Sequence, residues 1–366
     1  MKIPDDRIPG GCSIAGVLDT KEGMVSGNVI IEMISVMHER SNGLGGGFAG
    51  YGIYPEYKDK YCFHVMYLSE SAKSATESFL QSKFKIIQQE IIPTRPIKTI
   101  KNRPLLWRYF LEIKPEIRRE HYELVEDDIV MKFVMNINEE IENAFVVSSG
   151  RNMGIFKGVG YPEEMADFYR IDEYNAFMWI SHGRFPTNTP GWWGGAHPFG
   201  LLDFSLVHNG EISSYGINKR YLESFGYKLM LQTDSEAILY LFDLLLRRHK
   251  LSIENTCAAL APPFWSEIER MPEEKKNFIK NLRLVYGSAL INGPSSLIVG
   301  FKDNGSYCMM GLNDRIKLRP MCAATAGDLF YLSSEECAIR NICTKPQKVW
   351  APAGGEPVIG KRQVGS

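Results

Sequence analysis

The sequence predicts an α+β protein in which two sheets are covered by helices. Strand-like apolar segments recur from the N-terminal to the C-terminal part of the 366-residue chain, and helical segments lie between them. Gly, Asn and Asp turns join the later strands, so the C-terminal part is rich in β-structure. Hydrophobic residues make up 44% and charged residues 23%, and the net charge of -1 gives no general attraction to nucleic acid or anionic lipid.

The first elements follow from local patterns. Residues 12–18 form an apolar run typical of a buried strand, and residues 28–40 carry an apolar stripe at helical spacing. Residues 43–50 are rich in glycine and predict a turn that leads into a strand at 51–54. They contain a G-x-G-x-x-G match, but it follows a helix instead of a strand, so we expect a mobile or close-packed segment and not a nucleotide loop.

Residues 61–142 differ in character and predict an inserted α/β subdomain, so that 12–60 and 143–366 together form the main domain. A basic stretch followed by an acidic one marks the insertion. A solvated face is the first interpretation of these charges, a partner-docking surface the second, and a nucleic-acid site a distant third.

The later elements are short strands and one capped helix. Thr233 to Glu236 has the pattern of a capping box, and an apolar helix follows it through Leu246. The predicted strands are 145–149, 154–159, 177–181, 297–301, 306–311, 321–325 and 329–333.

The leader, residues 1–11, lacks the apolar core of a secretory signal, and no stretch of the chain approaches a membrane span. The seven cysteines are scattered without a CxxC pair, which indicates neither a disulfide framework nor a metal site. We therefore expect a cytoplasmic protein that binds no metal, membrane or nucleic acid.

Cys12 is the first candidate catalytic residue. It follows Gly10 and Gly11, and cleavage of the Gly11–Cys12 bond would unite a thiol nucleophile and an α-amine base in one residue. The alternative is a small buried hydrophobe, which is the usual role of a free cysteine in an apolar run.

Polar residues in three further segments complete a possible site. Arg184 follows a strand and offers a bidentate clamp for a carboxylate, or else a surface ion pair. Asn209 and Gly210 offer two donors to an oxyanion, or else a hairpin turn. Asp234 begins a helix, where the helix dipole explains it, yet it also suits a substrate ammonium group. Together these groups would hold an α-amino acid while its side-chain amide is attacked.

The chain resembles the class II glutamine amidotransferases, a branch of the N-terminal nucleophile hydrolases, and within them the glutaminase domain of glutamate synthase. The resemblance covers nearly the whole chain in order. It rests on residues 12–16, 43–50, 156–159, 168–169, 181–189, 197–199, 208–212, 218, 233–236, 293–296, 314–315 and 318–320. Two runs, 292–294 and 312–320, depart from the family pattern, in a region that would bear on interdomain contacts.

The resemblance implies a four-layer αββα sandwich and assigns roles to the candidates. Cys12 would be the nucleophile, with Asn209 and Gly210 as the oxyanion hole. Arg184 would bind the α-carboxylate of L-glutamine, Asp234 its α-amine, and Thr187 would line the pocket.

The resemblance also implies a division of labour between chains. No cofactor is expected here, because the flavin and iron-sulfur sites would belong to a separate synthase subunit that receives the ammonia. Two alternatives stay open, namely an amidotransferase subunit for another acceptor, such as an N-methylglutamate synthase, and a non-catalytic glutamine-binding regulatory subunit.

Overall fold

The computed structural model describes residues 11–186 and 191–363. The predicted pocket residue Thr187 and nearly all of the leader lie outside these ranges. The strands are β1 (Ser13–Asp19), β2 (Val25–Ser26), β3 (Gly46–Tyr51), β4 (Tyr61–Tyr67), β5 (Phe84–Ile91), β6 (Leu105–Ile113), β7 (Ala144–Ser148), β8 (Met153–Gly158), β9 (Asn175–Ala176), β10 (Met178–Gly183), β11 (Phe199–Leu201), β12 (Phe204–Gly210), β13 (Ser295–Asp303), β14 (Ser306–Asn313), β15 (Cys322–Ala326), β16 (Leu329–Ser333), β17 (Lys348–Trp350) and β18 (Val358–Gln363). The helices are α1 (Gly27–Ser35), α2 (Glu70–Lys83), α3 (Pro115–Glu120), α4 (Glu126–Glu140), α5 (Pro162–Phe168), α6 (Tyr215–Glu223), α7 (Asp234–Phe242), α8 (Ile253–Leu260), α9 (Trp265–Ile268), α10 (Glu273–Val285) and α11 (Glu336–Ile342).

Two antiparallel sheets form the centre of the molecule. The larger has seven strands in the order β17-β15-β16-β1-β10-β3-β8, and the smaller has five in the order β11-β12-β13-β14-β18. Strand β1 lies inside the larger sheet between β16 and β10, and all seven of its residues are buried. A strand covered on both faces reads as a continuous apolar run, which is why residues 12–18 were recognisable in the sequence.

The sheets pack face to face, and helices cover their outer faces. Ile14 of β1 and Ile298 of β13 share one fully buried cluster between the sheets. Val17, on the opposite face of β1, packs in a second cluster that includes α1, α5 and α11. Leu206 of β12 packs outward in a third cluster, together with α7 and α8. The α+β prediction and its four αββα layers are therefore confirmed.

A third sheet, in the order β5-β6-β4-β7, is built from strands within residues 61–148. Helices α2 and α4 supply the side chains of Leu80 and Val134 to its core, which also contains Phe63 of β4. These residues belong to the same cluster as the outer face of the smaller sheet. The division of the chain at residues 60 and 143 stays a prediction.

Helix 28–40 and the glycine turn differ from the prediction. Helix α1 ends at Ser35, and residues 38–40 form a separate 3₁₀ turn. The glycine-rich run is itself strand β3, so the predicted strand at 51–54 was placed too late. A side chain on Gly47 would begin 2.4 Å from the carbonyl oxygen of His197 and 2.5 Å from that of Phe156. Close packing explains the glycine there.

Of the capping box predicted at α7, the structure has the N-cap Thr233 but not the return bond from Glu236. Thr233 is the N-cap, and its hydroxyl accepts a hydrogen bond from the Ser235 amide at 3.0 Å. Glu236 turns away from Thr233 and accepts hydrogen bonds from the amides of Met230 and Leu231. The later strands were predicted to within about two residues at most boundaries. Across the described ranges no helix has both the length and the apolar character to cross a membrane.

Candidate active site

Cys12 stands at the end of the larger sheet, immediately before β1. Ser13 pairs with Gly183 of β10, so Cys12 faces Arg184 where the two strands end. The Sγ atom accepts a hydrogen bond from the Phe185 amide at 3.3 Å. Two guanidinium nitrogens of Arg40, both at 3.3 Å, donate to the Cys12 carbonyl oxygen, and Arg40 is itself paired with Glu335 at 2.8 Å. Hydrogen bonds therefore hold both the Sγ atom and the carbonyl oxygen of Cys12.

Burial raises the pKa of the Cys12 thiol, while the Phe185 amide and the guanidinium groups of Arg184 and Arg319 act in the opposite direction. Burial has the larger effect, so the resting form is the thiol. A nucleophile in this state needs a base to remove its proton.

Asn209 and Gly210 end strand β12 of the smaller sheet, where they pair with Ser296 and Ser295 of β13. They are therefore not the central residues of a hairpin. Asn209 is 1% exposed, and its Nδ2 atom has no hydrogen-bond partner among the residues that the structure describes. A buried donor without a partner is costly unless a ligand completes it. Gly210 has φ of 152°, and a side chain there would begin 1.9 Å from the carbonyl oxygen of Pro294.

Asp234 begins α7 and is held by three neighbours. Its Oδ2 accepts from the Ile212 amide at 3.1 Å, and its Oδ1 accepts from the Ser235 hydroxyl at 3.2 Å and lies 3.7 Å from Nδ1 of His208. Burial favours the neutral acid, but the His208 ring and these donors outweigh burial and lower the pKa of Asp234. The group is a carboxylate at neutral pH.

Arg184 is 9% exposed, and its backbone is anchored to the strand beside it. Its amide donates to the Gly45 carbonyl oxygen at 2.8 Å. A side chain on Gly45 would begin 3.0 Å from Cδ of Arg184, so glycine leaves room for the arginine. Burial lowers the pKa of the guanidinium, and both Cys12 and Asp234 act against this effect.

One cavity of about 480 Å³ is lined by every predicted site residue that the structure describes. These residues are Cys12, Arg184, Asn209, Gly210 and Asp234. Thr187 is outside the described residues. A larger cavity, of about 700 Å³, contains none of them. Within the described part of the chain, no group of three or more His, Cys, Asp or Glu residues is arranged to hold a metal ion.

Sequence reasoning missed several residues of this site. Arg40 and Arg319 were given no role, although one binds the Cys12 carbonyl and the other lines the cavity. His197, His208 and Ser235 also line it, and all lie in segments that carry the family resemblance. Spacing alone gives no signal for them, because their contacts join elements that are far apart in the sequence.

Residues 52–349 match the family model described as "Glutamine amidotransferases class-II". The chain belongs to this family. The matched segment begins after Cys12, so the role of the cysteine rests on the geometry above and on the motif around it.

The chain is also similar to individual proteins. A protein of Archaeoglobus fulgidus described only as uncharacterized is 49% identical over 97% of this chain and 93% of its own length. The glutamate synthase [NADPH] large chain of Bacillus subtilis is 27% identical over 56% of this chain and 14% of its own length. The solved structure of a glutamine phosphoribosylpyrophosphate amidotransferase from Bacillus subtilis has a TM-score of 0.46 at 13% identity, covering 96% of this chain and 49% of that one. This class II amidotransferase chain thus spans about half the length of the chain in that structure.

Proposed function

We propose that this protein hydrolyses L-glutamine to L-glutamate and ammonia. The observation that carries the proposal is that one cavity is lined by a thiol, a guanidinium, a carboxylate and an amide donor that has no partner in the described part of the chain. A free α-amino acid with a side-chain amide has a complementary group for each of them: an α-carboxylate, an α-ammonium and a carbonyl oxygen that becomes negative on attack.

In the proposed reaction, the Cys12 sulfur attacks the side-chain carbonyl carbon of glutamine. The α-amine of Cys12, freed by removal of residues 1–11, takes the thiol proton and passes it to the departing nitrogen, which leaves as ammonia. Water then adds to the thioester, and glutamate is released as the thiol is restored. The α-amine suits this task because its reference pKa is about 7.7 to 8.0.

Oxyanion stabilisation is assigned to Asn209 and Gly210. The Nδ2 donor of Asn209 is buried and has no partner within the described ranges, which supports a role that a bound substrate completes. The position from which a side chain on Gly11 would start is 4.0 Å from Oδ1 of Asn209. The Oδ1 atom of the Asn209 side chain is therefore close to the backbone of Gly11, the residue before Cys12.

Substrate binding is assigned to Arg184 for the α-carboxylate, Asp234 for the α-ammonium group and Thr187 for the pocket wall. Arg184 and Asp234 line the same cavity, and the Asp234 carboxylate acts to raise the pKa of the Arg184 guanidinium. Two opposite charges at one site select a zwitterion over a simple amide.

We further propose that the ammonia passes to a separate synthase subunit that carries flavin and iron-sulfur sites. The motif resemblance to the glutaminase domain of glutamate synthase and the Bacillus subtilis relative support this acceptor. Co-purification from the native cell, followed by an assay for glutamate formed from 2-oxoglutarate, tests it. Recovery of a partner that aminates another acceptor would replace the glutamate synthase assignment and leave the glutaminase activity intact.

The glutaminase activity itself is tested by measuring glutamate release by the purified full chain. Cys12→Ala should remove activity, while Cys337→Ala, which changes an exposed cysteine outside the cavity, should keep it. A Cys12→Ala protein that still hydrolyses glutamine would contradict the assignment of Cys12 as the nucleophile, and a wild-type chain that releases no glutamate would contradict the proposed function. Intact mass of the active protein should show the loss of residues 1–11, and a fully active protein that retains them would contradict the role of the α-amine.

A further inference from the structure

Three histidines and one serine form a buried polar layer behind Asp234. His182, His197 and His208 are all at most 6% exposed, and Ser235 is 1% exposed. The rings of His182 and His197 stack with centroids 4.1 Å apart. Among the described residues each ring has a hydrogen-bond partner at one nitrogen and none at the other, so each histidine holds the layer through a single nitrogen.

The contacts at the Ser235 hydroxyl assign its proton. Ser235 Oγ lies 3.2 Å from Oδ1 of Asp234, 2.8 Å from Nε2 of His197 and 3.1 Å from Nδ1 of His208. An ionised carboxylate can only accept, so the single hydroxyl proton points at Asp234. Both imidazole rings must then donate to the two lone pairs of the hydroxyl.

His182, the third histidine, holds strand β12, which carries His208. Nε2 of His182 lies 3.1 Å from the carbonyl oxygen of His208, and a carbonyl oxygen only accepts, so His182 donates. This bond joins β10 of the larger sheet to β12 of the smaller one. It restrains the backbone of His208, the residue directly before Asn209.

From this geometry we infer that Ser235 is a positioning residue, which directs the Asp234 carboxylate toward the substrate ammonium group and is itself held by His197 and His208. The Ser235 hydroxyl then uses its full hydrogen-bonding capacity, because it accepts from His197 and His208 and donates to Asp234. The carboxylate is then restrained on Oδ1 by Ser235 and on Oδ2 by the Ile212 amide, which leaves its outer lone pairs for the ligand. This inference rests on the proposed function, because it concerns the recognition of glutamine.

The test measures ligand affinity in a Cys12→Ala background, so that no turnover occurs. Calorimetry compares L-glutamine with 4-carbamoylbutanoate, which is glutamine without its α-amine. Ser235→Ala should weaken glutamine about tenfold, as expected for loss of a hydrogen bond to a charged group. The affinity for 4-carbamoylbutanoate, which makes no contact with Asp234, should change by less than about twofold.

A matched pair at His197 separates positioning from packing. The amide of His197→Gln can still donate to Ser235, whereas His197→Leu fills the space without a donor. The affinity for L-glutamine should fall roughly fivefold in His197→Leu. In His197→Gln it should stay near the value of the Cys12→Ala parent. If Ser235→Ala does not fold, judged by its thermal transition, this pair decides alone.

Two results would overturn the inference. One is a folded Ser235→Ala protein with unchanged preference for glutamine over its amine-free analogue. The other is equal loss of affinity in His197→Gln and His197→Leu. Failure of the proposed function looks different, because the wild-type chain would then not hydrolyse glutamine, whatever the affinities of the Ser235 and His197 variants.

Discussion

Cys12 and Arg184 face each other across the ends of two neighbouring antiparallel strands, because Ser13 of β1 pairs with Gly183 of β10. The register of one strand pair therefore sets the distance between the Cys12 thiol, the proposed nucleophile, and Arg184, the proposed carboxylate clamp. A slip of one residue would turn every side chain of β1 to the opposite face of the sheet. The tightly packed, fully buried strand makes such a slip costly.

Asn209→Ala should lower kcat for glutamine hydrolysis by about a hundredfold to a thousandfold, with a smaller effect on KM. The reason is that one oxyanion donor is lost, and that donor is needed chiefly in the transition state. Steady-state kinetics measures both constants. Asn277→Ala is the control, because Asn277 is exposed on α10 and contacts Glu273 of the same helix. A loss of less than about tenfold in Asn209→Ala would contradict this role.

Arg184→Lys should raise KM for glutamine by roughly tenfold to a hundredfold, because lysine keeps the charge but loses the planar pair of donors. Arg340→Lys is the matched control, since Arg340 is half exposed and pairs with Glu336 within α11. An unchanged KM in a folded Arg184→Lys protein would mean that another group binds the α-carboxylate.

Stability should depend on pH through His182. Burial lowers the pKa of His182 from 6.5 to about 3 in the folded state. As the pH falls, the His182 ring therefore binds a proton in the unfolded chain before it does so in the folded one. The contribution of the neutral ring to the free energy of unfolding is complete above about pH 6.5 and is lost as the pH falls toward about 3.

The measurement is urea unfolding of the wild type and of His182→Gln between about pH 7 and pH 4. Glutamine can still donate to the His208 carbonyl but does not titrate. The unfolding free energy of the wild type should fall relative to the variant, by up to about 1.4 kcal/mol per pH unit below pH 6.5. Parallel curves for the two proteins would show that this histidine does not carry the effect.

Gly47→Ala should lower the free energy of unfolding by roughly 1 to 3 kcal/mol. The reason is that the added carbon would collide with the backbone carbonyl oxygens of His197 and Phe156. Gly287→Ala is the control, since a side chain there meets nothing within 4 Å. Chemical unfolding of both proteins tests this. Equal stability of the two variants would contradict the close-packing account of the glycine-rich run.

The sequence was informative where one residue type has one dominant structural use. The continuous apolar run of β1 and the N-cap Thr233 were recognisable for this reason. The glycine-rich run was not, because glycine is typical of turns, and only the neighbouring carbonyl groups around Gly47 show why a strand needs it. Local propensity cannot report such long-range contacts.

The candidate site shows the same contrast. Cys12, Arg184 and Asp234 stood out because each is a reactive or charged group beside a predicted strand or helix end. Ser235 looked like part of a cap, and its proposed role as a hydrogen-bond centre depends on His197, which precedes β11, and on His208 of β12. Sequence spacing cannot predict that a loop, a strand and a helix bring these side chains together.

The central claim is that Cys12 is the nucleophile that attacks glutamine. The most direct measurement treats the active full chain with a glutamine analogue bearing a diazoketone in place of the amide, followed by intact mass and peptide mapping. We predict a single adduct on Cys12 that forms in step with loss of glutaminase activity and is slowed by glutamine. An adduct on another residue, with Cys12 unmodified while activity is lost, would contradict the account.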